Sequence, residues 1–96
     1  MSLYMIIEIQ IKDGERYAEY VRRVPAVIER HGGRYLVRGG EVVPLSGNWK
    51  PERVIVIEFL SLAELRSCFG SAEYLELAPL REQSTVSRAI LVEGCG

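Results

Sequence analysis

The side chains best placed for chemistry in this 96-residue chain are arginines and glutamates that a sheet would gather on one side. Residues 31–40 read HGGRYLVRGG, with Arg34 and Arg38 set inside two glycine pairs around an apolar Tyr35-Leu36-Val37. Side chains alternate along a strand, so Arg34, Leu36 and Arg38 are expected on one face and Tyr35 and Val37 on the other. Parity with Ile6 sends Glu8 to the same side as the arginines, and parity with Val54 and Val56 sends Glu58 there. A guanidinium fork grips a carboxylate or phosphate through two parallel N–H bonds, and a glutamate beside it can take up a proton. The same four residues also fit a plainer reading, ion pairs that satisfy charges half covered by a partner subunit. Both readings stand on the sequence.

His31 is the only histidine, and its place before Gly32 suits it to bond the last carbonyls of a helix, where the dipole favours its proton. Tyr17, Tyr20 and Tyr74 fall on apolar helix stripes, and their hydroxyls need partners if buried. Arg81 shares the Tyr74 stripe, a position where a charged group either lines a cleft or pairs with a carboxylate. The candidate ligand-binding set is therefore His31, Arg34, Arg38, Glu58, Tyr20, Tyr74 and Arg81. Trp49, in a loop beside Pro51, suits a subunit contact or a lid. Cys68 reads as buried filler, and no second histidine or cysteine stands near enough in sequence to build a metal site. The glycine pairs make no phosphate loop. Such a loop follows a strand and opens a helix, whereas Gly32-Gly33 closes a helix and precedes a strand.

The elements that must position these residues are legible. MIIEIQIK, residues 5–12, puts Met5, Ile7, Ile9 and Ile11 on one strand face and Ile6, Glu8, Gln10 and Lys12 on the other. Asp13 can cap a helix with Tyr17, Tyr20, Val21, Val24, Val27 and Ile28 inward, kinked by Pro25 near Tyr20-Val21 and ended by Gly32. Arg34–Arg38 and a short added strand, Glu41–Leu45, flank Gly39-Gly40 as a hairpin or bulge. RVIVIEF, residues 53–59, is apolar on both faces, as a central strand is. Ser61 to Glu64 fits a capping box opening a short helix, Ser71 can cap another that runs past Pro79, and RAILVE, residues 88–93, closes the sheet.

That order is βαββαβ, an α+β ferredoxin-like arrangement with an antiparallel sheet and both helices on one face. The apolar Ile6, Val54 and Val56 then need cover on the helix-free face, and a second copy of the chain would supply it. A single domain over residues 1–96 is expected, small enough that burial through association would help its stability. Lys and Arg number 12 against 13 Asp and Glu, so no overall field draws the chain to nucleic acid or anionic lipid. No apolar run approaches the ~20 residues needed to cross a bilayer, and the two cysteines form no disulfide framework, so a cytoplasmic protein is expected.

The run Gly32–Gly40, with Gly47, Pro51-Glu52-Arg53, Ile57-Glu58-Phe59, Ser71-Ala72-Glu73-Tyr74, Arg81 and Val92-Glu93-Gly94, resembles the domain of unknown function 1330 family, within the dimeric α+β barrel superfamily. The resemblance spans about residues 4–94. It implies a homodimer whose sheets face one another, and it implies no reaction and no catalytic residues. Ser46 stands where an acidic residue commonly precedes Gly47 in that family. Two functional expectations follow. One is a protein that binds or transforms a small anionic or aromatic molecule without a cofactor. The other is a homodimeric structural or interaction module without catalysis, in which the same residues only satisfy buried polarity.

Overall fold

A computed structural model describes residues 1–95 of the chain. Strand β1 spans Leu3–Ile11, and its alternation works as the pattern demands: Ile9 is buried, and Met5, Ile7 and Ile11 pack against the same core. Helix α1, Gly14–Arg30, begins where the Asp13 carboxylate accepts the Arg16 N–H at 3.2 Å, and it buries Tyr17, Tyr20, Val24, Val27 and Ile28. The helix continues through Pro25. It ends in a Schellman turn: Gly33 N–H donates to the Ile28 carbonyl at 2.9 Å, and Gly32 N–H to that of Glu29 at 3.1 Å. Gly32 takes φ +88°, and a Cβ on Gly33 would stand 2.5 Å from Ile28 Cγ2, so the glycine pair serves turn and packing together.

Strands β2, Arg34–Arg38, and β3, Arg53–Phe59, are joined by an irregular loop over residues 39–52. The strand expected over Glu41–Leu45 does not form. Pro44 has no N–H to give a ladder, and among the described residues no strand pairs with the segment, so Val43 and Leu45 stay exposed. Helix α2, Leu62–Phe69, is capped by Ser61 Oγ accepting Glu64 N–H at 3.2 Å, and helix α3, Ala72–Ser84, by Ser71 Oγ accepting Tyr74 N–H at 3.1 Å. Strand β4 starts earlier than its apolar run suggests, spanning Thr85–Glu93.

The four strands form one antiparallel sheet in the order β2-β3-β1-β4, the ferredoxin-like order. The helices cover one face, where Phe59, Ile28 and Cys68 form the driest part of the core. The other face carries Ile6, Val54, Val56, Ile90 and Val92 in register. Pairing of β2 with β3 is interrupted once: Tyr35 lies opposite Ile57, yet Val37 lies opposite Val56, so Leu36 is an extra residue in β2, a β-bulge. That single residue decides where Arg38 points.

Candidate functional site

Between the sheet and the helices lies a cavity of about 320 Å³. Its floor is Met5, Ile7, Ile9, Ile55 and Ile57, its walls include Tyr20, Val24 and Phe69, and its polar groups collect toward one end. Register explains that grouping. Ile9 lies opposite both Arg53 and Ser87, so these three form a row across the sheet, and Arg38, opposite Ile55, stands one step further in. Arg53 Nε donates to the Tyr17 hydroxyl at 3.0 Å. Its guanidinium also lies against Gly39, which holds φ +74° at a point where a Cβ would meet that guanidinium. Arg81, from α3, donates through Nε to the Tyr74 hydroxyl at 3.2 Å and through Nη1 to Ser87 Oγ at 2.9 Å. The Tyr20 and Tyr74 hydroxyls are 2.9 Å apart. Arg38 lies over the Tyr35 ring, 4.8 Å from its centroid.

Electrostatically the cavity is one-sided. No Asp or Glu is among its lining residues, and among the described residues Arg38, Arg53 and Arg81 pair with no carboxylate. Burial, reinforced by Tyr74, drives the Tyr20 hydroxyl far above the ordinary phenol range, and burial does the same for Tyr35 against an opposing pull from Arg38. Burial opposes the charge of Arg81, but Tyr74, with Tyr20 and Glu82, outweighs it and the guanidinium holds its proton more tightly than usual. At neutral pH the site therefore offers neutral phenols as donors and guanidiniums as fixed positive charge.

Four of the seven candidate residues, Arg38, Tyr20, Tyr74 and Arg81, come together here. The expected Arg/Glu cluster does not form as a unit. The Leu36 bulge turns Arg38 from the helix-free face to the helix side, while Arg34 keeps its place on the open face and bonds Glu58 at 2.8 Å. Glu8 is on the open face too, but it lies opposite Arg88 and bonds it at 2.5 Å while accepting the Trp49 indole N–H at 3.3 Å. Glu58 lies opposite Tyr4, four residues from Glu8 along β1, so the two ion pairs are separated by about 13 Å. Hydrogen bonds hold both carboxyls below the usual carboxylate range, chiefly from Arg88 for Glu8, and from Ser2 ahead of Arg34 for Glu58.

His31 lies outside the cavity. Its backbone N–H, not its ring, reaches the final carbonyls of α1, because the ring turns toward α3 and brings Nε2 to 3.4 Å from Glu73 Oε1, a carboxylate that Arg30 also engages. That Nε2 has no hydrogen-bond partner. Arg53, Ser87 and Arg88, the last already paired with Glu8, are polar lining residues that the sequence reading left out of its candidate set. Arg53 shares the parity of Ile55 and Ile57, a signal of inward direction that its place at a strand start obscured. Among the described residues no group of three or more His, Cys, Asp or Glu side chains is placed to hold a metal ion, and no helix is long and apolar enough to cross a membrane.

Comparison with known proteins bears on the fold. The family described as Domain of unknown function (DUF1330) matches residues 2–95. Among solved structures, a protein of unknown function from Rhodopseudomonas palustris is similar with a TM-score of 0.85 and 22% identity, over 99% of this chain and 83% of that one. SnoaB, a cofactor-independent oxygenase from Streptomyces nogalater, is similar with a TM-score of 0.72 and 10% identity, over 99% of this chain and 94% of its own. A candidate antibiotic biosynthesis monooxygenase from Nitrosomonas europaea gives a TM-score of 0.67 and 15% identity, over 98% and 90%. At these identities the likeness is one of fold, the dimeric α+β barrel type. No curated protein matches the chain.

Proposed function

This chain belongs to the domain of unknown function 1330 family, whose description names no reaction, and from that footing we propose that its cavity binds a small organic anion with an apolar or aromatic body. The observation that carries the reading is the set of three guanidiniums, Arg38, Arg53 and Arg81, in a lining with no carboxylate to neutralise them. An apolar ligand alone would leave that charge uncompensated in a half-enclosed site, and an inorganic anion alone would leave the isoleucine floor unfilled. The volume, near the lower end of the ~300–1,000 Å³ common for ligand pockets, suits a molecule of one ring with a short acidic tail. Transformation of that ligand without a cofactor is the part of the proposal supported by fold analogy alone, through SnoaB.

Thermal unfolding with benzoate, 4-phenylbutanoate and uncharged 4-phenylbutanamide tests it. The two anions raise the melting temperature and the amide does not, since a ligand at a hundredfold excess over its dissociation constant adds about 2.7 kcal/mol of stability. Replacing Arg38 and Arg53 together by alanine abolishes the effect. Equal stabilisation by the amide, or no shift with either acid, refutes the proposal.

A homodimeric role is favoured by a separate observation. On the helix-free face Ile90 is 60% and Val92 44% exposed, beside the half-buried Ile6, Val54 and Val56, a surface that a second sheet of the same chain would cover. The two readings are compatible, and a module without catalysis would keep the second and lose the first. Sedimentation equilibrium decides the assembly.

A further inference from the structure

Counting protons in the cavity leads past charge to the ligand's other functional group. The Tyr20 and Tyr74 side chains are 8% and 6% exposed, and their hydroxyls meet at 2.9 Å. The pair owns two phenolic protons. One of them bridges the two oxygens, in whichever direction. The Tyr74 oxygen also accepts from Arg81 Nε, a group that can only donate. Neither hydroxyl reaches any other acceptor among the described residues. One O–H is therefore left over, next to the cavity that both tyrosines line.

A buried donor without an acceptor is costly, and an apolar ligand surface against it would make the cost permanent. We infer that the natural ligand carries, besides its acidic group, an uncharged oxygen acceptor of the carbonyl type, which takes the uncommitted proton of the Tyr20–Tyr74 pair. The inference rests on the anion-binding reading above. Arg81 strengthens the donor: its charge, applied through Tyr74, polarises the hydroxyl chain toward the ligand. Arg38 and Arg53, which among the described residues hydrogen-bond neither Tyr20 nor Tyr74, remain available for the acidic group. The ligand class is thus an aromatic or apolar keto acid, with its ketone at the tyrosines and its carboxylate at the arginines.

The test uses a matched pair that differs by one oxygen, 4-oxo-4-phenylbutanoate and 4-phenylbutanoate, titrated calorimetrically into the full chain. The keto acid is expected to bind on the order of tenfold more tightly, the contribution of one buried hydrogen bond. Each single change, Tyr20→Phe or Tyr74→Phe, leaves one free O–H and so retains part of the preference. The double variant loses it, while its far-ultraviolet circular dichroism and cooperative thermal melt report an intact fold. Should that variant not fold, the infrared carbonyl band of isotope-labelled keto acid bound to the unaltered protein decides, lying below its position in an aprotic solvent. Equal affinities for the two acids, or an unshifted band, overturn the inference and leave anion binding standing. If neither acid binds, both fall together.

Discussion

Replacing Gly39 by alanine tests how the Arg53 guanidinium is seated beside the cavity. Gly39 occupies φ +74°, and the added Cβ would intrude on the Arg53 guanidinium. The left-handed backbone alone costs an L-residue about 1–2 kcal/mol. The guanidinium is the free end of a flexible side chain, so it swings aside rather than breaking the fold, and the penalty is what it gives up. That is the 3.0 Å bond to the Tyr17 hydroxyl and the contact with the Tyr17 ring, 5.5 Å from its centroid. A hydrogen bond to a charged group is worth about 1.5 kcal/mol and an exposed cation–π contact about 0.5 kcal/mol, which brings the total to about 3–4 kcal/mol. Urea denaturation of four proteins, the parent, Gly39→Ala, Arg53→Ala and the double variant, separates the parts. In the Arg53→Ala background the glycine change should cost only its backbone share, leaving a coupling of about 2 kcal/mol between the two positions. Strict additivity would refute the idea that Gly39 is there to seat Arg53.

Three further outcomes are expected. Ile90→Asp, on the exposed helix-free face, should shift the chain toward monomer in sedimentation equilibrium while far-ultraviolet circular dichroism stays unchanged; an unaltered assembly state would remove that face from the interface. The Glu58 carboxyl is held low by Ser2 and Arg34, so its folded-state affinity for a proton lies beneath its unfolded one; its stabilising effect is present above the unfolded pKa and is lost as pH falls through the folded value. Glu58→Gln should therefore flatten the acid-side decline of stability below about pH 4 and leave the alkaline side unchanged, as followed by thermal melts across pH. Burial pushes the Cys68 thiol up to about 11 and leaves it fully covered, whereas Cys95 is exposed. Ellman's reagent should modify Cys95 promptly and Cys68 only at the rate of unfolding.

What could be read in advance was whatever depended on local periodicity. The isoleucines of β1 and the aromatic stripe of α1 each announce their own inward face, and Asp13, Ser61, Ser71 and Gly32 mark helix ends by chemistry confined to a few residues. Tyr20, Tyr74 and Arg81 were legible as cavity residues for the same reason. Arg38 was not, because the Leu36 bulge is fixed by pairing with β3, and nothing within RYLVR signals it. The His31 ring finds its carboxylate on α3, more than forty residues on, and Glu41–Leu45 has strand-like residues but no paired strand among the described residues. Each miss depends on contacts between segments distant in sequence, which a period cannot encode.

The extra residue at Leu36 gives this sheet a parity switch. Absorbing Leu36 into a regular ladder would rotate everything from Val37 onward by half a turn about the strand, handing Val37 to the core and Arg38 to the outer surface with no side chain altered. Where the strand takes up its extra residue, independent of which side chain that residue carries, thereby sets how much positive charge faces the cavity. Among chains of this kind with the same spacing, a bulge kept or lost at this point of the strand would tell whether the cleft is dressed for an acid or left bare.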